Sequence, residues 1–290
     1  THLVQAHLGV HNDHVGVKVG AKNAFNAIHR RAILLGVDEH FPRLSPYTRA
    51  MYDPDYPGSL WHRLDFGVWM ELRSEEGTQQ GDPLGPFYFC LGIHPLLERV
   101  AAAHPNCIVI AYMGDVHILG PPGSACAAFD LISQELGSVG LVVTPGKCQA
   151  YSPAAMDQVQ SLFPQEMWRP QGVEAIDSTT LGIFAEGHLV LGTPVGSDAF
   201  VGRVVADSLS VVEAHITAAF ECLVSTKMLP EFDQQCYFAL LRCCVHPRLT
   251  HLLRALPPRL ISPFAARFDP LVIGGLDRLV HGTLHKLANT

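Results

Sequence analysis

Residues 76–86 read EGTQQGDPLGP, a loop of glycine, proline and polar residues that runs directly into an apolar segment. Residues 86–104 then carry apolar side chains at helical spacing, which predicts a long buried helix. The residues that mark its inner face are Phe87, Leu91, Leu97 and Val100. Pro95 falls inside this segment and predicts a kink or a break, because proline lacks the backbone donor that an interior helical position uses. The stretch therefore predicts a tight loop at the start of a core helix.

Strands are predicted on both sides of this helix. Val15–Gly20 alternates valine with glycine and lysine, the two-residue period of a strand with one buried face. Cys107–Tyr112 and Val116–Leu119 are short apolar segments separated by residues 113–115, which predicts a β-hairpin with its turn there. Residues 41–66 contain four prolines, so short helices and loops are expected in that part of the chain.

The pattern becomes helical towards the C-terminus. Helices are expected over residues 204–225, 231–245 and 247–254, with a last one near 262–286. The sequence therefore predicts an α+β domain over residues 1–202 followed by an all-helical domain over residues 203–290.

The composition argues against a disordered chain and against a membrane-spanning one. Of the 290 residues, 48% are hydrophobic and 16% are charged, which argues against disorder, and the apolar runs are too short to span a membrane. Eight cysteines form no C-x-x-C pair, so buried free thiols are expected. The net charge of −7 weighs against nucleic-acid binding, although residues 203–290 carry nine Lys and Arg against seven Asp and Glu.

Six landmarks occur in a fixed order along the chain. They are VKVGAKNAFN (17–26), EGTQQGDPLGP (76–86), AYMGDV (111–116), GLVVTPGKC (140–148), LGTPVG (191–196), and QQ (234–235) with LLRCC (240–244). Together they resemble the reverse transcriptase domain of non-LTR retrotransposons. The resemblance covers essentially the whole chain, but the family's preceding fingers segment with its triphosphate-binding basic residues is missing here.

The resemblance implies a right-hand polymerase palm, built as an antiparallel sheet with packed helices, with partial fingers and then an all-helical thumb. It implies RNA-templated DNA synthesis with an RNA template, a DNA primer and dNTP, and Mg²⁺ or Mn²⁺ as cofactor. It also implies membership of a longer polyprotein, without membrane association, and a nuclear location if the chain is an active eukaryotic retrotransposon product.

The catalytic positions depart from the family pattern. Members of the family carry one metal-binding aspartate after the first strand and a pair at the hairpin tip, and the matching positions here are Gly20, Gly114 and Asp115. Glycine has no side-chain oxygen, so Asp115 is the one expected metal ligand and binding of two metals is doubtful. Lys147 matches the lysine proposed to protonate the leaving pyrophosphate. In an alternative interpretation Gly114 simply serves the turn, because glycine tolerates positive φ.

Binding residues carry over from the same resemblance. Contact with the incoming nucleotide is expected at Phe25, Gln80, Gly81 and Tyr112. Contact with template, primer or duplex is expected at Lys22, Arg30, Gly192, Arg242 and Arg248, although the charged residues among them are equally compatible with solvated helix surfaces.

The sequence is compatible with three functional hypotheses. The chain is a working polymerase that tolerates its glycines, a non-catalytic module that binds primed RNA or DNA, or the relic of a decayed element. The acidic charge balance disfavours the binding module, because affinity for a nucleic-acid backbone comes mainly from neutralised phosphates. Aspartate to glycine is a single codon step, which favours drift over a deliberate knockout.

Overall fold

The computed structural model describes residues 1–53, 55, 58–79, 81–168, 186–224 and 234–288. The chain forms two compact units, one of Ala6–His188 and one of Leu189–Thr290 together with Thr1–Gln5. No helix in the described part of the chain is long and apolar enough to cross a membrane. The eight cysteines form no disulfide with one another, as predicted, but Cys236, Cys243 and Cys244 are exposed rather than buried.

The first unit combines helices with an antiparallel sheet. Its helices are α1 (His2–Val10, which starts in the other unit), α2 (Ala24–Ala27), α3 (Arg30–His40), α4 (Ser45–Tyr52), α5 (Gly85–Ala103), α6 (Pro122–Ser138) and α7 (Met156–Leu162). Its strands are β1 (Val15–Val19), β2 (Gly58–Arg63), β3 (Trp69–Ser74), β4 (Ile108–Tyr112), β5 (Asp115–Gly120) and β6 (Gln149–Tyr151). The predicted first strand, hairpin and core helix are therefore confirmed, with ends shifted by a few residues.

Four strands form the central sheet in the order β4-β5-β1-β6. All neighbours are antiparallel, and the register pairs Val17 of β1 with Ile118 of β5 and with Ala150 of β6. The valines of β1 are fully or almost fully buried and belong to the hydrophobic core of this unit. Alternation along β1 thus places Gly16, Lys18 and the position after Val19 on the opposite face.

The core helix α5 runs from Gly85 through Ala103 without the predicted break at Pro95. Proline at this position leaves the Leu91 carbonyl without its usual helical donor. Helix α3 approaches the same carbonyl through Gly36, where an added Cβ would lie 2.8 Å from Leu91 O. Close packing by a side-chain-free residue therefore covers the exposed backbone group.

The expectation of short helices and loops over residues 41–66 is wrong for its last part. Strand β2 (Gly58–Arg63) pairs with β3 (Trp69–Ser74) in a separate two-stranded sheet. The interval contains α4 and a short 3₁₀ turn at Pro42–Leu44, as the prolines indicate. The prolines predicted the helical part, but strand β2 lacks the alternation of apolar and polar residues that would reveal it.

The second unit contains a β-hairpin followed by helices. Its elements are β7 (Gly187–Val190, whose first two residues belong to the first unit), β8 (Thr193–Gly196), α8 (Asp198–Val224), α9 (Gln234–Leu240), a π-helical turn (Leu241–Val245), a 3₁₀ turn (His246–Arg248), α10 (Thr250–Ala255) and α11 (Pro258–Ala288). Helix α8 starts before the expected residue 204, because the Ser197 hydroxyl accepts a hydrogen bond from the Phe200 amide at 3.1 Å. The expected domain boundary at residue 202 lies inside this helix.

Candidate active site

The hairpin of β4 and β5 carries the predicted catalytic tip. Tyr112 pairs directly with Asp115, so Met113 and Gly114 form a two-residue turn. The positive φ of this turn, 53°, belongs to Met113, and Gly114 does not adopt a left-handed conformation. A Cβ added at Gly114 would meet only ordinary contacts, the nearest at 3.9 Å from the Phe25 ring. The turn therefore does not require glycine at position 114, contrary to the turn-only interpretation.

Gly20 lies at the same end of the sheet as Asp115. It follows Val19, which pairs with Val116 of the next strand. Beyond β1 the chain continues to pair, because the Thr144 amide donates to Gly20 O at 3.0 Å and Ala21 bridges Val143. Antiparallel pairing of β1 with β5 therefore brings Gly20 and Asp115 to the same end of the sheet.

The space beside Gly20 is filled by the segment that contains Lys147. A Cβ added at Gly20 would lie 2.5 Å from Lys147 O and 2.7 Å from Lys147 Cβ. The Gly20 amide also donates to Cys148 Sγ at 3.3 Å, which ties the two segments together. An aspartate at position 20 would therefore require this segment to move.

The Asp115 carboxylate has a basic neighbour. Lys18 Nζ lies 3.7 Å from Asp115 Oδ1, and both side chains are partly exposed. Such a pair contributes little to stability, but its ammonium group already offsets the charge of the carboxylate. Among the described residues, no group of three or more His, Cys, Asp or Glu side chains is arranged to hold a metal ion.

Alanine substitutions at the two glycines are expected to separate their roles. Gly114→Ala should leave the free energy of unfolding unchanged or raise it by up to about 1 kcal/mol, because the backbone is compatible and the site is open. Gly20→Ala should lower it by about 1–3 kcal/mol, because the new methyl group collides with Lys147 backbone. Urea denaturation of both variants measures the difference, and equal effects would contradict this assignment.

The QGDPLGP loop is held by Asp82. Its carboxylate accepts hydrogen bonds from the Tyr52 hydroxyl and from the Leu84 amide, the latter at 2.8 Å. Tyr52 in turn accepts from the Gln79 amide at 3.2 Å, so one buried phenol joins both ends of the loop. Burial and the bond to Asp82 raise the pKa of Tyr52 to about 12. Asp82 therefore fixes the loop and is not a substitute metal ligand.

Arg30 is a buried structural residue, which contradicts its predicted contact with nucleic acid. Only 2% of it is exposed, and its guanidinium donates to the carbonyls of Ser74, Glu76 and Gly77. It also lies over the Tyr52 ring at 5.3 Å. Burial lowers the pKa of Arg30. The helical pattern around Arg30 cannot distinguish a solvated cation from one that turns inward onto backbone carbonyls.

Comparison with known proteins identifies the family of this chain. Residues 6–178 match the family described as reverse transcriptase (RNA-dependent DNA polymerase), which is more than half of the chain. The chain belongs to the reverse transcriptase family. Members of this family bind an RNA template and a DNA primer and generally use Mg²⁺ or Mn²⁺.

One curated relative is a protein of a retrotransposable element. The 132 kDa protein of the retrotransposable element SLACS from Trypanosoma brucei gambiense is 30% identical over 135 residues. These residues cover 41% of this chain and 10% of that protein. A telomerase structure from Candida albicans, in complex with a TWJ fragment of telomeric RNA, has 10% sequence identity and a TM-score of 0.39. The match covers 95% of this chain and 48% of the telomerase chain.

Phe25 and Tyr112, two of the four residues expected to contact the incoming nucleotide, lie at the same sheet end. Phe25 stacks on Phe89 of α5 with ring centroids 4.5 Å apart, and its carbonyl accepts from the Thr78 amide at 2.7 Å. Tyr112 is 60% exposed at the end of β4. Gly81 is exposed with a φ of 96°, and Gln80 lies outside the described residues. The nucleotide contacts of these residues stay predictions.

Two basic residues near the first unit's sheet are available to solvent. Lys22 and Lys147 are both exposed, and their backbone amides donate to Val142 O at 3.0 Å and Thr144 O at 2.8 Å. These bonds fix the backbone of each residue and leave its ammonium group outside the core. The predicted roles of Lys22 towards nucleic acid and of Lys147 as a general acid stay predictions.

In the second unit, Gly192 and Arg248 line one cavity of about 530 Å³. Leu191 and Gly192 both have positive φ, 52° and 76°, as a two-residue type I′ hairpin turn requires. The other lining residues include Asp207 and His251. Arg242 is exposed in the π-helical turn and is not among them. The fold thus brings together two of the three residues predicted to contact nucleic acid here.

Sequence reasoning missed Lys18 and Tyr52. Lys18 is part of the first motif, and alternation along β1 combined with the hairpin register places it on the same face as Asp115. That signal was available in the sequence. Tyr52 offered none, because its contact with Asp82 joins residues 30 positions apart through a proline-rich interval.

Proposed function

We propose that this chain is part of a retrotransposon reverse transcriptase that has lost two-metal catalysis. Residues 1–202 form its palm with partial fingers, and residues 203–290 form its helical thumb. The observation that carries the proposal is the composition of the sheet end. Gly20 and Gly114 stand at two of the three carboxylate positions of the family, and Asp115 is paired with Lys18 at 3.7 Å.

The residues present do not fit a pair of divalent ions. Nucleotidyl transfer of this class uses two metals about 3.5–4 Å apart, and Mg²⁺ is held through oxygen ligands such as carboxylates. One partly exposed carboxylate beside an ammonium group supplies neither the charge nor the number of ligands. Lys147 cannot protonate a leaving group usefully where no metal assembles the reactants.

Primer extension tests the proposal directly. The chain is incubated with an RNA template, an annealed DNA primer, all four dNTPs and either Mg²⁺ or Mn²⁺. We expect no extension above the level of a control in which Asp115 is also removed, Asp115→Asn. Extension by the unsubstituted chain well above that control would overturn the proposal.

A matched pair of revertants sharpens the result. Gly114→Asp alone fits the structure, whereas Gly20→Asp requires the Lys147 segment to move. We expect neither single revertant to extend a primer. The double revertant is the variant in which activity would return if the fold still positions the three carboxylates.

A second candidate function is binding of primed nucleic acid without catalysis. It is favoured by the cavity where Gly192 and Arg248 meet, and the net charge of −7 weighs against it. Affinity for a primer–template hybrid that falls with salt, in the absence of extension, supports this candidate. Failure to bind leaves the relic of a decayed element as the remaining hypothesis.

A further inference from the structure

The hairpin of β2 and β3 presents an unusual pair of exposed faces. Its two strands are hydrogen-bonded to each other and to no other described strand. All of Trp69–Arg73 is exposed, and the residue at the tip, Phe66, is fully so. Two-stranded hairpins are marginal on their own, and contiguous exposed apolar surface commonly marks an interaction site.

The register separates the side chains of the hairpin into two sets. The pairs are Ser59 with Arg73, Trp61 with Glu71, and Arg63 with Trp69, and strand alternation puts all six on one face. A hydrogen bond from the Ser59 hydroxyl to the Glu71 carboxylate confirms that these strands share that face. We call it the tryptophan face. The opposite face carries His62, Met70 and Leu72.

The tryptophan face combines two aromatic and two cationic side chains. Trp61 is 61% exposed and Trp69 is 58% exposed, so both indoles are largely accessible to a ligand. Arg63 lies directly opposite Trp69, and Arg73 follows at the other end of the face. Two arginines against Glu71 leave this face positively charged on a chain of net charge −7. The charge therefore favours an anionic ligand on this particular surface.

The geometry distinguishes among anionic ligands. Trp61 and Trp69 occupy diagonal positions of the antiparallel pair, which lie roughly 7–8 Å apart. Bases stacked in a duplex are spaced about 3.4 Å apart along each strand, so a duplex cannot place successive bases on both indoles. An extended single strand can. Each indole has a guanidinium group next to it that is suited to a phosphate, because Arg63 is opposite Trp69 and Arg73 is diagonal to Trp61.

We propose that the tryptophan face binds single-stranded nucleic acid, with bases stacked on Trp61 and Trp69 and phosphates paired with Arg63 and Arg73. This surface lies on residues outside the family's catalytic positions. The inference goes beyond the proposed function, because stacking and phosphate pairing need neither metal nor nucleotide triphosphate. Loss or retention of catalysis therefore leaves it unaffected.

Fluorescence anisotropy of a labelled 20-nucleotide oligo(dT) or oligo(U) tests the proposal with the full chain. The assay contains EDTA and no dNTP, which separates its outcome from that of primer extension. Trp61→Ala/Trp69→Ala is expected to weaken binding by roughly 30-fold or more, since stacking is sequence-tolerant and strong for each base. The matched control Met70→Ala/Leu72→Ala removes two exposed side chains from the opposite face and should leave affinity within about twofold.

Two further variants keep the result interpretable. Trp61→Tyr/Trp69→Tyr retains aromatic rings and should retain most of the affinity, which separates stacking from damage to the hairpin. Arg63→Gln/Arg73→Gln should lower the slope of log affinity against log salt by about 1.4, the value for two phosphate contacts on a single strand. No binding by the unsubstituted chain, equal losses in the variants of both faces, or a duplex bound as tightly as a single strand would overturn the proposal. Self-association that depends on Trp61 and Trp69, measured by sedimentation, would overturn it in favour of a second copy of this chain.

Discussion

Acidification from pH 7 to pH 4.5 is expected to lower the free energy of unfolding by about 2–3 kcal/mol for each of two buried histidines. His188 is 1% exposed and His117 is 4% exposed, and their ring centroids lie 6.3 Å apart. Among the described residues, neither ring nitrogen of His117 has a hydrogen-bond partner, and the Gly16 backbone is the one group that favours the charged form of His188. Burial therefore lowers the pKa of His188 to about 3 and that of His117 to about 4.

The sign of the effect follows from proton uptake. In the unfolded chain both histidines titrate near the ordinary pKa of 6.5, whereas in the folded chain they stay neutral until pH 4 or below. Between these values the unfolded state binds more protons, so stability is lost as the pH falls through that window. Asp115 raises the pKa of His117 and Lys18 lowers it, while Lys18 and the neighbouring imidazole lower that of His188. Burial outweighs these charges at both sites.

Urea denaturation at pH 7, 6, 5 and 4.5 measures this dependence. His188→Leu should remove about half of the pH slope, and addition of His117→Leu should remove most of the rest. Leucine has a similar volume and no unpaired polar atoms, so stability at pH 7 should not fall greatly. The exposed His215 supplies the control, because His215→Leu should leave the slope unchanged. An unaltered slope in His188→Leu would contradict the assignment.

The sheet end could be predicted from the sequence because its signals are local. Alternation over Val15–Gly20 and a turn between two apolar segments specify strands, and antiparallel pairing brings their ends together. The relation between Gly20 and Lys147 was not predictable in the same way. It depends on how closely a 3₁₀ turn, Pro145–Lys147, packs onto a strand more than a hundred residues earlier.

The two glycines differ although the motif treats them alike. Gly114 sits in open space and could accept a carboxylate at little cost, whereas Gly20 is closed off by backbone. Loss of the side chain at position 20 therefore permits the Lys147 segment to settle where a carboxylate would stand. Restoration of catalysis is expected to be limited by position 20 rather than by the hairpin tip. The hairpin tip thus does not need its glycine, whereas the packing of the Lys147 segment beside β1 does need glycine at position 20.

Arg30 shows the opposite relation, in which a charged residue is required by the fold. Replacement by methionine, Arg30→Met, is expected to lower the free energy of unfolding by about 3 kcal/mol, because several carbonyls lose their donor in a largely buried site. Those carbonyls belong to Ser74, Glu76 and Gly77, which lead into the QGDPLGP loop. The neighbouring Arg31 is exposed on the same helix, so Arg31→Met should change stability by less than about 0.5 kcal/mol.

A third variant separates charge from geometry. Lysine keeps the positive charge but has no planar fork, and one ammonium group cannot reach the set of carbonyls that the guanidinium serves. Arg30→Lys should therefore lose most of the stability that Arg30→Met loses, as measured by urea denaturation at pH 7. If Arg30→Lys is as stable as the unsubstituted chain, charge alone suffices and the fork is not what holds the loop. If Arg31→Met is as destabilised as Arg30→Met, the effect belongs to helix α3 as a whole. Only loss in both Arg30 variants, with Arg31→Met unaffected, assigns the loop's position to hydrogen bonding by the buried guanidinium.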